Sequence, residues 1–136
     1  MQDFYLPAIR AEIEIARGNP SKANEILQTA SAYELGQPQA YESRLWPIYF
    51  RGAAYLAAHD GASAVAEFQR ILDHPGVVLN FSVAPLAHLE IARAEALRGD
   101  KVKARAAYQD FFALWQHADP GIPILKQAKA EYARLQ

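Results

Sequence analysis

The sequence predicts an all-α protein: three antiparallel helical hairpins in one stack, closed by a single further helix. Three observations carry this expectation. A pattern of small and large residues recurs three times, with Ala23, Ala64 and Ala104 lying 41 and 40 positions apart. Each copy is divided by a pair suited to ending one helix and opening the next: Gly18-Asn19, His59-Asp60 and Gly99-Asp100. Gly and Asn tolerate a left-handed backbone, and Asp caps the following helix. Around these pairs the apolar residues return every three or four positions, the period of an amphipathic helix.

The first copy runs Arg10-Ala11, Glu14, Gly18-Asn19, Ala23, Leu27, Ala30. The second runs Arg51-Gly52, Tyr55, His59-Asp60, Ala64, Phe68, Ile71, and the third Ile91-Ala92, Glu95, Gly99-Asp100, Ala104, Tyr108, Phe111. A small residue in the first helix (Ala11, Gly52, Ala92) lets the partner approach. Four residues after the turn an alanine does the same. Four further on, Leu27, Phe68 or Tyr108 shares its face and fills the groove.

Helices are expected near 3–17, 20–34, 43–58, 61–73, 83–98, 101–118 and 122–135, in a single domain spanning 1–136. The hairpins are then 3–34, 43–73 and 83–118. Pro20 suits a first turn, where its missing N–H is harmless. Pro47 belongs in a first turn too, because deeper in a helix it would kink it. Ala104, Ala107, Tyr108, Phe111, Phe112 and Trp115 make a broad apolar face, so their helix is expected to be the most buried. In the last helix Leu125, Ala128, Tyr132 and Leu135 share one face, while Lys126, Lys129, Glu131 and Arg134 occupy the others. A stack of this kind needs such a terminal element with a polar outer side. Its alternative reading is a detachable helix that exposes a groove.

Composition narrows the function. Fourteen basic residues against fifteen acidic ones leave a formal net charge of -1, so no nucleic-acid or anionic-membrane partner is advertised. With no cysteine, disulfides, thiolate nucleophiles and Cys-based zinc sites are excluded. The apolar stretches are short and broken by charges, which argues against membrane insertion. The amino end lacks the pattern of a signal peptide, so the chain as it stands is expected to be soluble, with its compartment open. His59, His74, His88 and His117 are never three or four apart, so none pair on a helix as metal ligands would. Ser21, Ser31, Ser43, Ser63 and Ser82 lack a nucleophile elbow. Glu12 and Glu14 diverge on a helix. No cofactor, metal or catalytic site is expected.

The second copy, with Gly52, Tyr55, Ala64, Phe68 and a trailing Pro75, resembles the tetratricopeptide repeat. The first copy has Glu14 and Leu27 where that family has aromatics; the third keeps Tyr108 but has Glu95. The period near 40 exceeds the family's usual 34 or so, which places longer links at Gln37 to Ser43 and Pro75 to Ser82. The resemblance implies a right-handed superhelix whose first helices line a concave face that holds a protein or peptide. Projected onto this chain, that face comprises Tyr5, Ala8 and Glu12; Trp46, Tyr49 and Ala53; and Leu86, Leu89 and Arg93. Trp46, Tyr49 and Arg93 are the preferred anchors, being of types that dominate binding energy. The alternative for Trp46 and Tyr49 is to plug the link after Gln37. A family subclass grips a terminal carboxylate with cations, but the matching positions here hold Ala8, Glu12, Phe50, Leu86 and Glu90. That ligand class is rejected.

A second resemblance reaches further. The run from Gly99 to Phe111, followed by Leu114-Trp115, Ala118-Asp119-Pro120, Ile122-Pro123-Ile124-Leu125 and Ala128-Lys129-Ala130-Glu131-Tyr132, is similar to the carboxy-terminal tail of a group of bacterial serine/threonine protein kinases. Phe68 to His74 is similar to the preceding repeat of that tail. It implies a non-catalytic regulatory region, since no glycine-rich nucleotide loop, His-Arg-Asp loop or Asp-Phe-Gly motif is present. The other reading is a self-association element forming a homodimer, with the apolar side of the closing helix pairing with its copy.

Overall fold

The computed structural model describes residues 5–35, 45–75 and 82–135. Among these are seven α-helices, one 3-10 turn and no strand, so the protein is all-α. The helices are α1 (Tyr5–Ala16), α2 (Pro20–Gln28), α3 (Trp46–Ala57), α4 (Gly61–Leu72), α5 (Val83–Leu97), α6 (Lys101–Leu114) and α7 (Pro123–Ala133), with the 3-10 turn at Ser31–Tyr33. The expected links from Gln37 and after Pro75 fall outside the described residues, as do the expected helix starts at 3 and 43.

Packing follows chain order. The pairs α1–α2, α3–α4 and α5–α6 each pack together, α3 lies on both α1 and α2, and α5 lies on α4 and more lightly on α3. The three pivotal alanines are all fully buried. Ala23 and Leu27 meet Ala11 and Ala54 in one apolar cluster; Ala64 and Phe68 belong to a larger one spanning α3 to α7.

The three turns within the pairs are the same turn. Gly18, His59 and Gly99 have φ of 79°, 59° and 82°. The amide after each reaches back to close the helix: Asn19 N–H to Glu14 O at 2.8 Å, Asp60 to Tyr55 at 2.9 Å, and Asp100 to Glu95 at 3.0 Å. This is the left-handed helix ending in which six-to-one and flanking bonds satisfy the last carbonyls. Asp60 and Asp100 then cap the next helix, accepting from the amides of Ser63 and Lys103, both at 3.0 Å. The Ser63 hydroxyl, donating to Asp60 at 2.6 Å, and the Ser63 amide hold that carboxyl below the usual carboxylate range, as the Lys103 amide does for Asp100. Asn19 does not cap α2; its amide donates to Glu14 Oε2 at 3.0 Å. Because His59 carries a side chain at positive φ, which costs about 1–2 kcal/mol, His59→Gly is expected to gain about 0.5–1 kcal/mol after the unfolded-state entropy of glycine is subtracted. Gly99→Ala should lose about 1 kcal/mol or more. Thermal unfolding of the two variants checks the opposite signs.

Two helices are shorter than their apolar patterns suggest. The second stops at Gln28, not near 34. Thr29 and Ser31 turn their hydroxyls onto the carbonyls of Ile26 and Gln28, at 2.8 and 2.9 Å, offering the backbone an alternative to helix. The chain then turns through the 3-10 segment and delivers Glu34 to the interior, where it is 1% exposed. There it binds Arg51, itself 8% exposed. Arg51 also donates to Leu27 O at 3.2 Å and to Glu67 at 3.2 Å, and Arg70 reaches Glu67 at 2.9 Å and Glu34 at 3.4 Å. Burial works against the Arg51 charge, but the bond and charge of Glu34 outweigh it, and its pKa is raised. One ionic cluster therefore ties the first hairpin to the second. The sixth helix stops at Leu114, not near 118: Trp115 leaves the helical region at φ -107°, ψ 20°, while its ring still packs one turn back on Phe111, with rings 5.0 Å apart.

The most buried element is α5, not α6 as the aromatic stripe suggests. Eight residues of α5 are buried against four of α6, because α5 is covered by both α4 and α6 while α6 leaves Val102 and Leu114 exposed. The closing helix seats Leu125 and Ala128 in the core with Tyr132 and Leu135 packed against it. Arg105 donates to the carbonyl of Leu135. Glu131 does not lie on the outer side with Lys126 and Lys129; it turns inward and is half-buried.

Candidate functional site

The face made by α1, α3 and α5 is built around an aromatic group on α3. Trp46, Tyr49 and Phe50 stand three and four residues apart, so one side of the helix gathers them. Trp46 meets Tyr49 edge-on at 5.5 Å and lies 6.0 Å from Phe50; Tyr49 rests on the buried Phe68 at 5.5 Å. All three are half-buried, each keeping part of its surface in water. Pro47, in the first turn of α3 as its ring requires, is buried beside them.

From this group a hydrogen-bonded chain crosses the molecule. Tyr49 donates its hydroxyl to Glu90 Oε1 at 3.3 Å on α5. Arg93, one turn along, donates to the same oxygen at 2.7 Å. Its other nitrogens fork onto Glu131 of α7 at 2.9 and 3.0 Å, and Glu131 also accepts from Tyr108 at 2.8 Å and Gln127 at 2.9 Å. Burial, then the Glu90 carboxylate, push the Tyr49 phenol up, and the charge of Glu12 on α1 adds to this. Burial raises the Glu90 pKa against the opposing pull of Arg93. Burial acts the same way on Glu131, but hydrogen bonds from Arg93 and Tyr108 win and its pKa is lowered. Arg93 is raised, its two carboxylates outweighing desolvation.

This geometry sorts the expected site residues. Trp46, Tyr49 and Leu86 are half-buried on the face, Tyr5 is half-buried at its edge, and Glu12 is exposed. Leu89 is fully buried and offers a partner no surface; it is a core residue. Arg93 is spoken for: a bidentate Arg–carboxylate pair is among the stronger polar contacts, and here it fastens α7. Arg93 is paired with Glu90 and Glu131, and the exposed carboxylate beside the aromatic group is that of Glu12 on α1. The link after Gln37, the alternative setting for Tyr49, lies outside the described residues; the Tyr49 hydroxyl joins α3 to α5. The Glu90–Arg93 pair was readable from a three-residue helical spacing. The Glu131 partner, 38 residues from Arg93, carries no local signal.

A second concavity, of about 580 Å³, lies between α4, α5 and α6. It uses the opposite side of α5, with Val65, Gln69, His88, Ile91 and Asp110 in its lining. His88 and Asp110 approach to 3.9 Å, and burial lowers the His88 pKa against the pull of Asp110. Two such groups make no catalytic constellation. Among the described residues no group of three or more His, Asp or Glu is placed to hold a metal ion, and no helix is long and apolar enough to cross a membrane.

The apolar side of α7 is docked on the body through Leu125 and Ala128. Pairing of two copies through that side is therefore not open while the helix is seated. No protein-family model matches the chain, and no curated protein or solved structure matches it.

Proposed function

We propose that this chain is a non-catalytic, tetratricopeptide-type module that holds a protein or peptide on the face of α1, α3 and α5. The single observation that carries the reading is the half-exposed Trp46–Tyr49–Phe50 group, with the exposed Glu12 nearby on α1. Aromatic clusters of this kind supply contact area at low entropic cost and dominate binding where they occur. The neighbour-to-neighbour packing and the thrice-repeated turn are what a right-handed superhelical stack of such hairpins requires. The exposed Glu12 carboxylate favours a ligand that brings apolar side chains together with a lysine or arginine. The similarity of the third hairpin and closing helix to kinase tails makes the carboxy-terminal regulatory region of a bacterial serine/threonine kinase the proposed setting.

The test is a peptide selection against the intact protein, followed by calorimetry of the selected sequences. They should be enriched in aromatic and basic residues, and Trp46→Ala should weaken them at least about tenfold, the loss of roughly 1.4 kcal/mol. Peptides that bind Trp46→Ala as tightly as the parent would remove this face from consideration.

A further inference from the structure

We propose that the outer side of α1 is a self-association surface, on which a second copy of this chain lays its own α1 in parallel. The starting observation is a stripe of large apolar residues in water: Leu6 is 42% exposed, Ile9 52% and Ile13 44%. Single exposed hydrophobics are ordinary; three at spacings of three and four on one helix make a continuous seam.

The repeat shows what this seam is for. Shifted by the 41-residue repeat, the three positions become Pro47, Phe50 and Ala54 of α3. Pro47 and Ala54 are buried and Phe50 half-buried, and Phe50 and Ala54 sit in the cluster with Ala11, Ala23 and Leu27 of the preceding pair. Shifted by 40 more, the last becomes Ala94, whose carbonyl oxygen would stand 2.8 Å from a Cβ on Gly61 of α4. In the second and third hairpins this side of the first helix is thus the side that receives another helix. In the first, no helix among the described residues covers it.

The occupant follows from the two ends of the stack and from charge. The opposite end is closed by α7, so copies cannot add head to tail; a closed pair using the same side of each copy remains. Leu6, Ile9, Ile13 and Ala16 are spaced as the seam of a two-stranded coil, with Glu12 on one flank and Arg17 on the other. In a parallel pair a flank residue meets the residue five places on in its partner, which sets Glu12 against Arg17 of the copy in both directions. An antiparallel pair would bring Arg10 and Arg17 against the copy's own arginines. Arg17 touches Glu14 at 3.2 Å, yet its side chain is 66% exposed and can turn outward. The seam lies across α1 from the buried Ala8 and Ala11, so the two bodies stand clear of each other.

Sedimentation equilibrium of the full chain, from micromolar to about millimolar concentration, covers the affinities expected of so short a seam. A reversible dimer is expected. Ile9→Asp should weaken it at least about tenfold while leaving the circular dichroism spectrum and peptide binding at Trp46 unchanged. Glu12→Arg should weaken it as well, and Glu12→Arg with Arg17→Glu should restore it. A monomer throughout would overturn the proposal and leave the seam to a helix from outside this chain. A dimer indifferent to Ile9→Asp would also overturn it.

Discussion

Arg51→Ala is expected to destabilise the protein by about 3–5 kcal/mol, the penalty for stranding a buried carboxylate. Glu34 is 1% exposed, and its main partner is the Arg51 guanidinium. Arg70 reaches the same carboxylate at 3.4 Å but is itself 40% exposed, so it replaces Arg51 poorly. The truncation also leaves the Leu27 carbonyl without the guanidinium bond at 3.2 Å. The size of the loss does not mean that the ion pair stabilises by that much. Replacing both charges together, as Arg51→Met with Glu34→Leu, should recover most of it, because a buried pair is nearly balanced by its own desolvation. Glu67 and Arg70 would keep each other at 2.9 Å. Urea unfolding followed by far-UV circular dichroism reads all three proteins. An Arg51→Ala protein within about 1 kcal/mol of the parent, the scale of an exposed pair, would show that the cluster is not buried as described.

Gly52 and Phe68 offer a test with a sign. A Cβ on Gly52 would stand 2.6 to 2.9 Å from the Phe68 ring, which is fully buried and also meets Tyr49, three residues before Gly52 on α3, edge-on at 5.5 Å. In an open helix Gly→Ala gains about 1 kcal/mol. Here overpacking of about 1–3 kcal/mol opposes that gain, and the expected net effect is a loss of about 1–2 kcal/mol. Phe68→Ala alone should lose about 3–5 kcal/mol through the cavity it leaves. With the ring gone, Gly52→Ala should turn neutral or stabilising, because its methyl then enters empty space. The double-mutant cycle isolates this coupling. Additive losses would mean that the two residues do not meet.

How much of this was legible in the sequence depends on the range of the interaction. Gly52 and Phe68 were readable as a small residue and the ring that covers it, because both belong to a repeated local pattern. The turns at Gly18, His59 and Gly99 were readable for the same reason: left-handed backbone and a capping aspartate are properties of adjacent residues. The ends of α2 and α6 were not. Apolar periodicity continues past Gln28 and Leu114, while the hydroxyls of Thr29 and Ser31 and the non-helical backbone of Trp115 mark where the helices stop. Gly61 was also missed, although a glycine opening a helix hints at a close neighbour; its Cβ would collide with the Ala94 carbonyl and the Arg98 side chain. The burial of Glu34 and the inward turn of Glu131 lay beyond reach, since each depends on an arginine 17 or 38 residues away. For the candidate face, residue types pointed to Trp46, Tyr49 and Arg93. Types could not tell that Arg93 is already engaged, or that Leu89 points into the core.

The face itself is tested most directly by a nuclear magnetic resonance titration with a selected peptide. The amides that move should cluster on α1, α3 and α5 around Glu12, Trp46, Tyr49 and Leu86, with the Trp46 indole N–H among the largest shifts. Shifts gathered instead around Gln69, His88 and Asp110, on the far side of α5, would contradict the assignment of the binding face.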